Sequence, residues 1–132
     1  MENKLIELHD SKVEEVRVER NKIIVVFSEA YIHKSLGRPG YDRGSGWTQR
    51  IELEFEKASL DGKPLNLPDR IGDGELEVGN KKDGGVPIPF ESKEPVRLSL
   101  IFQSGNEIQI FGEKMKLKEI GEAEYVEEFP GN

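Results

Sequence analysis

Strict alternation of apolar and charged residues is the feature that most constrains the fold of this chain. It is clearest in RIELEFEKA, residues Arg50–Ala58, where Ile51, Leu53 and Phe55 alternate with three glutamates. Successive side chains of a β-strand point to opposite faces of the sheet, whereas helical spacing would spread these apolar residues around the cylinder. The segment is therefore predicted to be a strand with one apolar and one solvated face.

The same period recurs along the chain, and the segments between its occurrences are rich in turn residues. Strands are predicted at Val13–Glu19, Lys22–Phe27, Arg50–Ala58, Val96–Phe102, Glu107–Phe111 and Glu113–Ile120, with shorter ones at Leu5–Leu8, Ala30–His33 and Glu75–Val78, and a final edge strand anchored by Tyr125, Val126 and Phe129. No stretch carries a convincing amphipathic helical stripe. The pattern indicates an all-β fold, a β-sandwich or flattened barrel of about 8–10 mostly antiparallel strands with little or no helix.

The length of the chain predicts how these strands are organised. With 132 residues it has the size of one ordinary domain, and we predict a single domain over residues 1–132. Neither half alone offers enough strands for a separate core. The predicted core comprises the inward-facing apolar residues Val16, Val18, Ile24, Val26, Ile51, Leu53, Phe55, Leu98, Leu100, Phe102, Ile108, Ile110 and Leu117.

Composition excludes several classes of function. The chain has no cysteine, which excludes thiol catalysis, thiolate metal sites and disulfides. Its net charge of -7 repels phosphate backbones, so we predict no nucleic-acid partner. The N-terminal MENKLIELHD does not have the pattern of a signal peptide, and the longest aliphatic and aromatic run, Ile23–Phe27, is too short to cross a bilayer. We therefore predict a cytoplasmic protein with no membrane partner.

Short motifs of recognisable chemistry are few. His9-Asp10 is accompanied by one other histidine, His33, so Asp10 and Ser11 are predicted to accept backbone N–H bonds in a turn that ends the first strand. No G-x-S-x-G elbow, phosphate loop or dinucleotide fingerprint occurs. Catalysis by a pair of carboxylates remains an alternative, because 26 residues are acidic and some pair will have a suitable spacing. We predict no metal, no cofactor and no identifiable catalytic residue, and favour a protein that is not an enzyme.

The stretch IHKSLGRPGYDRGSGWTQR, residues 32–50, departs from the alternating pattern. It holds four basic residues against one acidic residue, with several glycines and two aromatic residues. A connection of this length is uncommon in a compact domain and is often functional. Because aromatic faces beside arginines bind sugars, planar groups or protein partners, we predict a binding site. Its candidate residues are Tyr31, His33, Arg38, Tyr41, Arg43, Trp47 and Arg50.

A purely structural role is the alternative for this stretch. Trp47 would then cap the core where the next strand begins, and the glycines would only allow the chain to turn. For Trp47 alone the structural role is favoured, whereas for the stretch as a whole a binding role is favoured.

Both ends of the chain resemble a known group of proteins. LHDSKVEEVRVERNKIIVVF resembles the opening of small uncharacterised bacterial β-domains, which begin with a His-Asp turn and a hairpin. LSLIFQSGNEIQIFGEKMKL, followed by EYVEEF, is similar to their closing strands and acidic tail. Some of these domains are immunity proteins that neutralise polymorphic toxins. The resemblance implies an all-β fold in a bacterial cytoplasm, and it carries over no catalytic residue.

Three functional hypotheses follow. The first is a non-catalytic module that binds a protein partner, an immunity-type inhibitor being one form, whose acidic faces would suit a basic target. The second is a binder or hydrolase of carbohydrates or anionic metabolites, with a pocket under residues 32–50. The third is a homo-oligomer assembled through a sheet face or an edge strand.

Overall fold

A computed structural model describes residues 2–132, and all the regular structure in this range is β-strand. The strands are β1 (Asn3–Glu19), β2 (Lys22–Ser35), β3 (Gly44–Glu56), β4 (Ser59–Gly62), β5 (Asp69–Val78), β6 (Lys81–Asp83), β7 (Gly85–Ile88), β8 (Glu91–Ser92), β9 (Val96–Phe102), β10 (Glu107–Gly112) and β11 (Lys114–Phe129). Within the described range, no helix has the length and apolar character needed to span a membrane.

The strands form one strongly curled antiparallel sheet. Its order is β4-β10-β9-β5-β1-β2-β3-β11-β8, with β6 beside β5 and β7 beside β1. The sheet curls into a half-barrel, which confirms the predicted all-β class and the sandwich or flattened-barrel architecture. Four long strands, β1, β2, β3 and β11, lie side by side at its centre and towards one edge.

The long strands join segments that the sequence predicted as separate. Leu5–Leu8 and Val13–Glu19 both belong to β1, and Lys22–Phe27 and Ala30–His33 both belong to β2. The predicted end of the first strand at Asp10 and Ser11 is wrong, because β1 continues through a bulge there. Asp10 adopts a left-handed backbone with φ of 71°, and the Ser11 hydroxyl accepts the Tyr31 N–H at 2.9 Å.

Irregularities lie at one level across the long strands. The pairing register shifts between Glu7 and Glu15 in β1, between Phe27 and Ala30 in β2 and between Ile120 and Glu124 in β11, with a second shift in β11 between Tyr125 and Glu127. An extra residue in one strand bends it and increases its twist. These bulges separate a lower half of the sheet, nearer the Arg20–Asn21 turn, from an upper half, nearer residues 36–43, which carries the candidate site. The core lies beneath both halves, since Ala30 and Ile32 of the upper half belong to it.

The core is one cluster of buried apolar side chains inside the curl. Eight of the predicted core residues belong to it: Ile51, Leu53, Phe55, Leu98, Leu100, Phe102, Ile108 and Ile110. Val16 and Leu117 are half-buried against it. From β2 the structure places Ile23, Val25 and Phe27 in the core, whereas the predicted core residues of β2 are Ile24 and Val26.

Ile24 and Val26 are buried on the opposite face of β2. Their cross-strand neighbours are Arg17 and Glu54 for Ile24, and Glu15 and Glu52 for Val26. The methylene stems of such long charged side chains can cover apolar neighbours while their heads stay in water. Both faces of β2 are therefore covered, as its doubly apolar sequence indicates.

Val18 is the one predicted core residue that the structure places in solvent, with 57% of its surface exposed. It lies two residues before the Arg20–Asn21 turn, where the β1–β2 hairpin extends past the core. The alternation in β1 predicts the face of the sheet on which Val18 lies. It does not predict that the β1–β2 hairpin extends beyond the core that would cover Val18.

Glu54 is the centre of an ion-pair row on the outer face of the sheet, and its charge is expected to stabilise the fold. Its carboxylate lies 2.7 Å from Lys22 Nζ and 3.1 Å from Lys118 Nζ, and these ammonium groups lower its pKa below the ordinary 4.5. Because both lysine side chains are partly exposed, at 40% and 49%, water screens the pairs. We therefore expect Glu54→Gln to lower the free energy of unfolding by about 0.5–1 kcal/mol at pH 7.

The pH dependence of this loss has a definite sign. A lowered carboxyl pKa stabilises the folded state above the unfolded pKa, and this contribution disappears as the pH falls through the folded value. Urea denaturation should therefore show the wild type and Glu54→Gln converging below about pH 4.5, whereas Glu107→Gln, at an exposed position, should match the wild type throughout. A difference that persists at pH 2 would contradict the assignment.

Candidate functional site

An open groove of about 630 Å³ lies on the upper half of the sheet, on the face opposite to the core. Tyr31 and His33 of β2 form its floor, because they alternate with the buried core residues Ala30 and Ile32. The lining residues are Glu7, Asp10, Glu29, Tyr31, His33, Gly40, Thr48, Arg70, Val126, Glu127, Phe129 and Asn132.

His33 is packed into the floor of the groove, where its Nδ1 is buried without a hydrogen-bond partner among the residues that the structure describes. Its Nε2 lies 3.0 Å from Glu7 Oε2, and its ring meets the rings of Tyr31 and Phe129 edge-on, each at a centroid distance of 5.1 Å. The hydrogen bond from His33 lowers the pKa of Glu7, against the opposing effect of burial. Glu7 is therefore a carboxylate near neutral pH, and its charge faces the groove.

Tyr31 links β2 to the C-terminal part of β11. Its hydroxyl donates to Glu127 Oε1 at 2.7 Å, and burial together with this carboxylate raises the pKa of Tyr31. Gly46 of β3 makes room for the ring, since an added Cβ would overlap the Tyr31 hydroxyl. The tyrosine is thus neutral, and its oxygen is committed to Glu127.

The connection between β2 and β3 closes one end of the groove. It comprises residues 36–43, because β2 continues to Ser35 and β3 begins at Gly44, so the prediction of an irregular stretch over 32–50 is wrong. The Arg38 N–H donates to Asp42 Oδ2 at 2.6 Å, and the Arg38 guanidinium lies 3.8 Å from the centroid of the Tyr41 ring. The Asn132 N–H donates to the Tyr41 carbonyl at 2.9 Å, which joins the end of the chain to this loop.

Of the seven predicted site residues, Tyr31 and His33 line the groove and the other five lie elsewhere. Arg38 and Tyr41 stack on each other in the loop, and the Arg43 carbonyl accepts the Ser35 hydroxyl at 2.7 Å. Arg50 forms a bidentate ion pair with Glu14, with Nη2 2.7 Å from Oε2 and Nη1 3.3 Å from Oε1. The groove therefore does not gather the basic residues of 32–50.

Trp47 lies on the other face of β3. Its Nε1 donates to Ser45 Oγ at 2.7 Å, Lys34 Nζ lies 3.8 Å from its ring centroid, and the Tyr125 ring meets it edge-on at 5.4 Å. The indole packs against the core cluster. The structural alternative for Trp47, a cap on the core, describes this position.

The groove is acidic, which the composition of 32–50 did not indicate. Four carboxylates line it, from Glu7, Asp10, Glu29 and Glu127. Arg70 is the guanidinium in the lining, and it is engaged by Glu29 at 3.4 Å and by the Asp10 carbonyl at 2.9 Å. Lys12 Nζ lies 4.0 Å from Glu29, and His9 Nδ1 lies 3.2 Å from Asp10. The carboxylates still outnumber the guanidinium in the lining, and an excess of negative charge favours cations over anions.

The sequence does not indicate most of the residues that make the groove acidic. Glu7, Glu29, Arg70, Glu127 and Phe129 come from four different strands or their bulges. The one local signal was the spacing of Tyr31 and His33, two residues apart with Ile32 between them. Their partners follow from strand order and register, which a single sequence does not specify.

The Ser11 hydroxyl, next to the floor residue Tyr31, is part of the β1 bulge. Ser11 is fully buried, and its hydroxyl is engaged by the backbone of Glu7 and Tyr31. Among residues 2–132, no serine or threonine hydroxyl is hydrogen-bonded to His33, and no group of three or more metal-ligating side chains occurs. What the groove offers is aromatic surface surrounded by negative charge.

Comparison of the chain with family models, curated proteins and solved structures gives no match. The resemblance to small bacterial β-domains therefore stays a prediction.

Proposed function

We propose that the protein is a non-catalytic binding module whose groove holds an arginine or lysine side chain of a basic protein partner. The observation that carries the proposal is the convergence of four carboxylates around the aromatic floor made by Tyr31 and His33. An immunity-type protein that binds a basic toxin in a bacterial cytoplasm is the particular form that the sequence resemblance favours.

The chemistry of the groove supports a cationic side chain as its ligand. A guanidinium or ammonium group is attracted to aromatic faces and forms charge-assisted hydrogen bonds with carboxylates. Glu7 and Glu127 are fixed by His33 and Tyr31, so they require little reordering on binding. The same negative potential opposes an anionic metabolite, so that class of ligand is not proposed.

The test uses a blocked Gly-Arg-Gly tripeptide and its Gly-citrulline-Gly analogue, which has nearly the same shape without the charge. Titrated into ¹⁵N-labelled protein at low salt, the arginine peptide is expected to shift the amide signals of Tyr31, His33, Thr48 and Phe129. Glu127→Gln should weaken binding about two- to fivefold, as expected for one partly exposed carboxylate near a cation.

Glu128→Gln is the matched control, because it removes the same charge one residue further along β11. The Glu128 carboxylate accepts the Tyr125 hydroxyl at 2.9 Å and is not part of the groove lining. Its variant should bind the arginine peptide like the wild type. Equal responses to arginine and citrulline, or equal losses in the two variants, would overturn the proposal.

A further inference from the structure

The outer edge of β11 exposes backbone along most of its length. Its inner edge pairs with β3 from Lys114 to Phe129, whereas its outer edge pairs with β8 only at Met115 and Lys116. The Leu117 N–H also donates to the Phe90 carbonyl at 3.0 Å. From Lys118 to Phe129, the outer edge forms no backbone hydrogen bond to another described strand. The Gly121 carbonyl accepts a hydrogen bond from the side chain of Gln49, which belongs to β3, at 2.9 Å.

We propose that the edge of β11 from Lys118 to Phe129 binds an extended basic segment of a partner protein by adding it to the sheet as a further strand. Strand addition to a free edge supplies affinity through main-chain hydrogen bonds and specificity through alternate side chains. This inference rests on the proposed function, since the added strand would belong to the partner whose basic side chain enters the groove.

The charge of the edge indicates the nature of its occupant. Residues 118–129 contain five glutamates and one lysine. A second copy of this chain would bring five glutamates of one edge close to five of the other, and like charges on paired strands are destabilising. Glu119 is already paired with Lys4 Nζ at 3.1 Å, and a lysine- or arginine-rich segment would meet opposite charge at the other four glutamates.

The two faces of β11 define the pattern of the added strand. On the groove face lie Glu124, which pairs with Thr48, and the lining residue Glu127, which returns to this face through the register shift between Tyr125 and Glu127. On the other face lies Tyr125, 52% exposed and in contact with Trp47. Because side chains of neighbouring strands align across a sheet, the occupant should alternate basic residues towards the groove with apolar residues towards Tyr125.

The test uses a blocked octapeptide of alternating lysine and valine. Two isomers carry the same charge, one N-methylated at every lysine and the other at every valine, so that each loses the N–H groups of one edge only. We expect the unmodified peptide to bind and to protect the amides of residues 118–129 from hydrogen exchange. One methylated isomer should bind like the parent, and the other should lose at least tenfold in affinity.

Each other outcome overturns a stated part of this argument. Equal binding of all three peptides, or binding without protection of residues 118–129, would leave the groove proposal intact and overturn strand addition. Failure of the octapeptides where the arginine tripeptide still binds would do the same. If neither the tripeptide nor the octapeptides bind, the proposed function falls, and this inference with it. A peptide-free dimer with protected 118–129 amides would assign the edge to a second copy.

Discussion

Replacing Phe27 by alanine is expected to lower the free energy of unfolding by about 3–5 kcal/mol, the usual loss for a large aromatic side chain removed from a well-packed core. Phe27 is fully buried and lies where β2 passes over the core, immediately before the bulge that begins the upper half of the sheet. The loss is a large part of the ~5–15 kcal/mol that stabilises a typical domain. Urea denaturation followed by circular dichroism would measure it.

Val18→Ala is the matched control for Phe27→Ala. The alternating pattern predicts Val18 to be in the core, but 57% of its surface is exposed. The substitution should therefore change the free energy of unfolding by no more than about 0.5 kcal/mol, as at other surface positions. Similar losses in the two variants would show that the packing of the hairpin differs from the one described.

Gly44→Ala is expected to destabilise the protein by about 1–3 kcal/mol, and the damage should be concentrated at the site. An added Cβ would overlap the carbonyl oxygen of Lys34 on the neighbouring strand. That oxygen belongs to the backbone, so no side-chain rotation relieves the overlap, and the ends of β2 and β3 must separate. Hydrogen exchange should become faster at residues 34–44, alongside the loss measured by urea denaturation.

Gly84→Ala provides the comparison, because its added Cβ would approach nothing closer than the Gly74 carbonyl oxygen at 3.7 Å. That distance is an ordinary van der Waals contact, and alanine restricts the unfolded chain more than glycine does. Gly84→Ala should therefore equal or slightly exceed the wild type in stability. A Gly44→Ala protein with wild-type stability and exchange would contradict the close approach of β2 and β3.

The sequence predicts the fold class well because the alternation in β3, β9 and β10 is a local property. Ile51, Leu53 and Phe55 need only the two-residue period of a strand to be placed on one face. In β2 apolar residues occupy both faces, so the period does not determine which set meets the core. The sequence consequently predicts Ile24 and Val26 as core residues, whereas Ile23, Val25 and Phe27 occupy the core cluster.

The candidate site was predicted less well, since it depends on contacts between distant segments. Glu7 meets His33, and Glu127 meets Tyr31 across 96 residues of sequence. Arg50, which looked like part of a basic site, is matched by Glu14 from β1. Residues 32–50 are basic when their charges are summed along the sequence. The groove is acidic because the folded sheet brings carboxylates from other strands to its lining.

The bond between Asn132 and the loop at Tyr41 has a practical consequence for experiments on this protein. A purification tag fused after Asn132 would extend from the protein surface beside Gly40, at the mouth of the groove. A polyhistidine or lysine-rich tag there would offer its own cations to Glu7 and Glu127 and mimic an occupant. The start of β1 is no better placed, because Asn3 pairs with Ser35 and its side chain donates to the Gly37 carbonyl of the same loop. Handles and fluorophores for binding assays therefore belong on the β1–β2 turn at Arg20–Asn21, at the other end of the long strands.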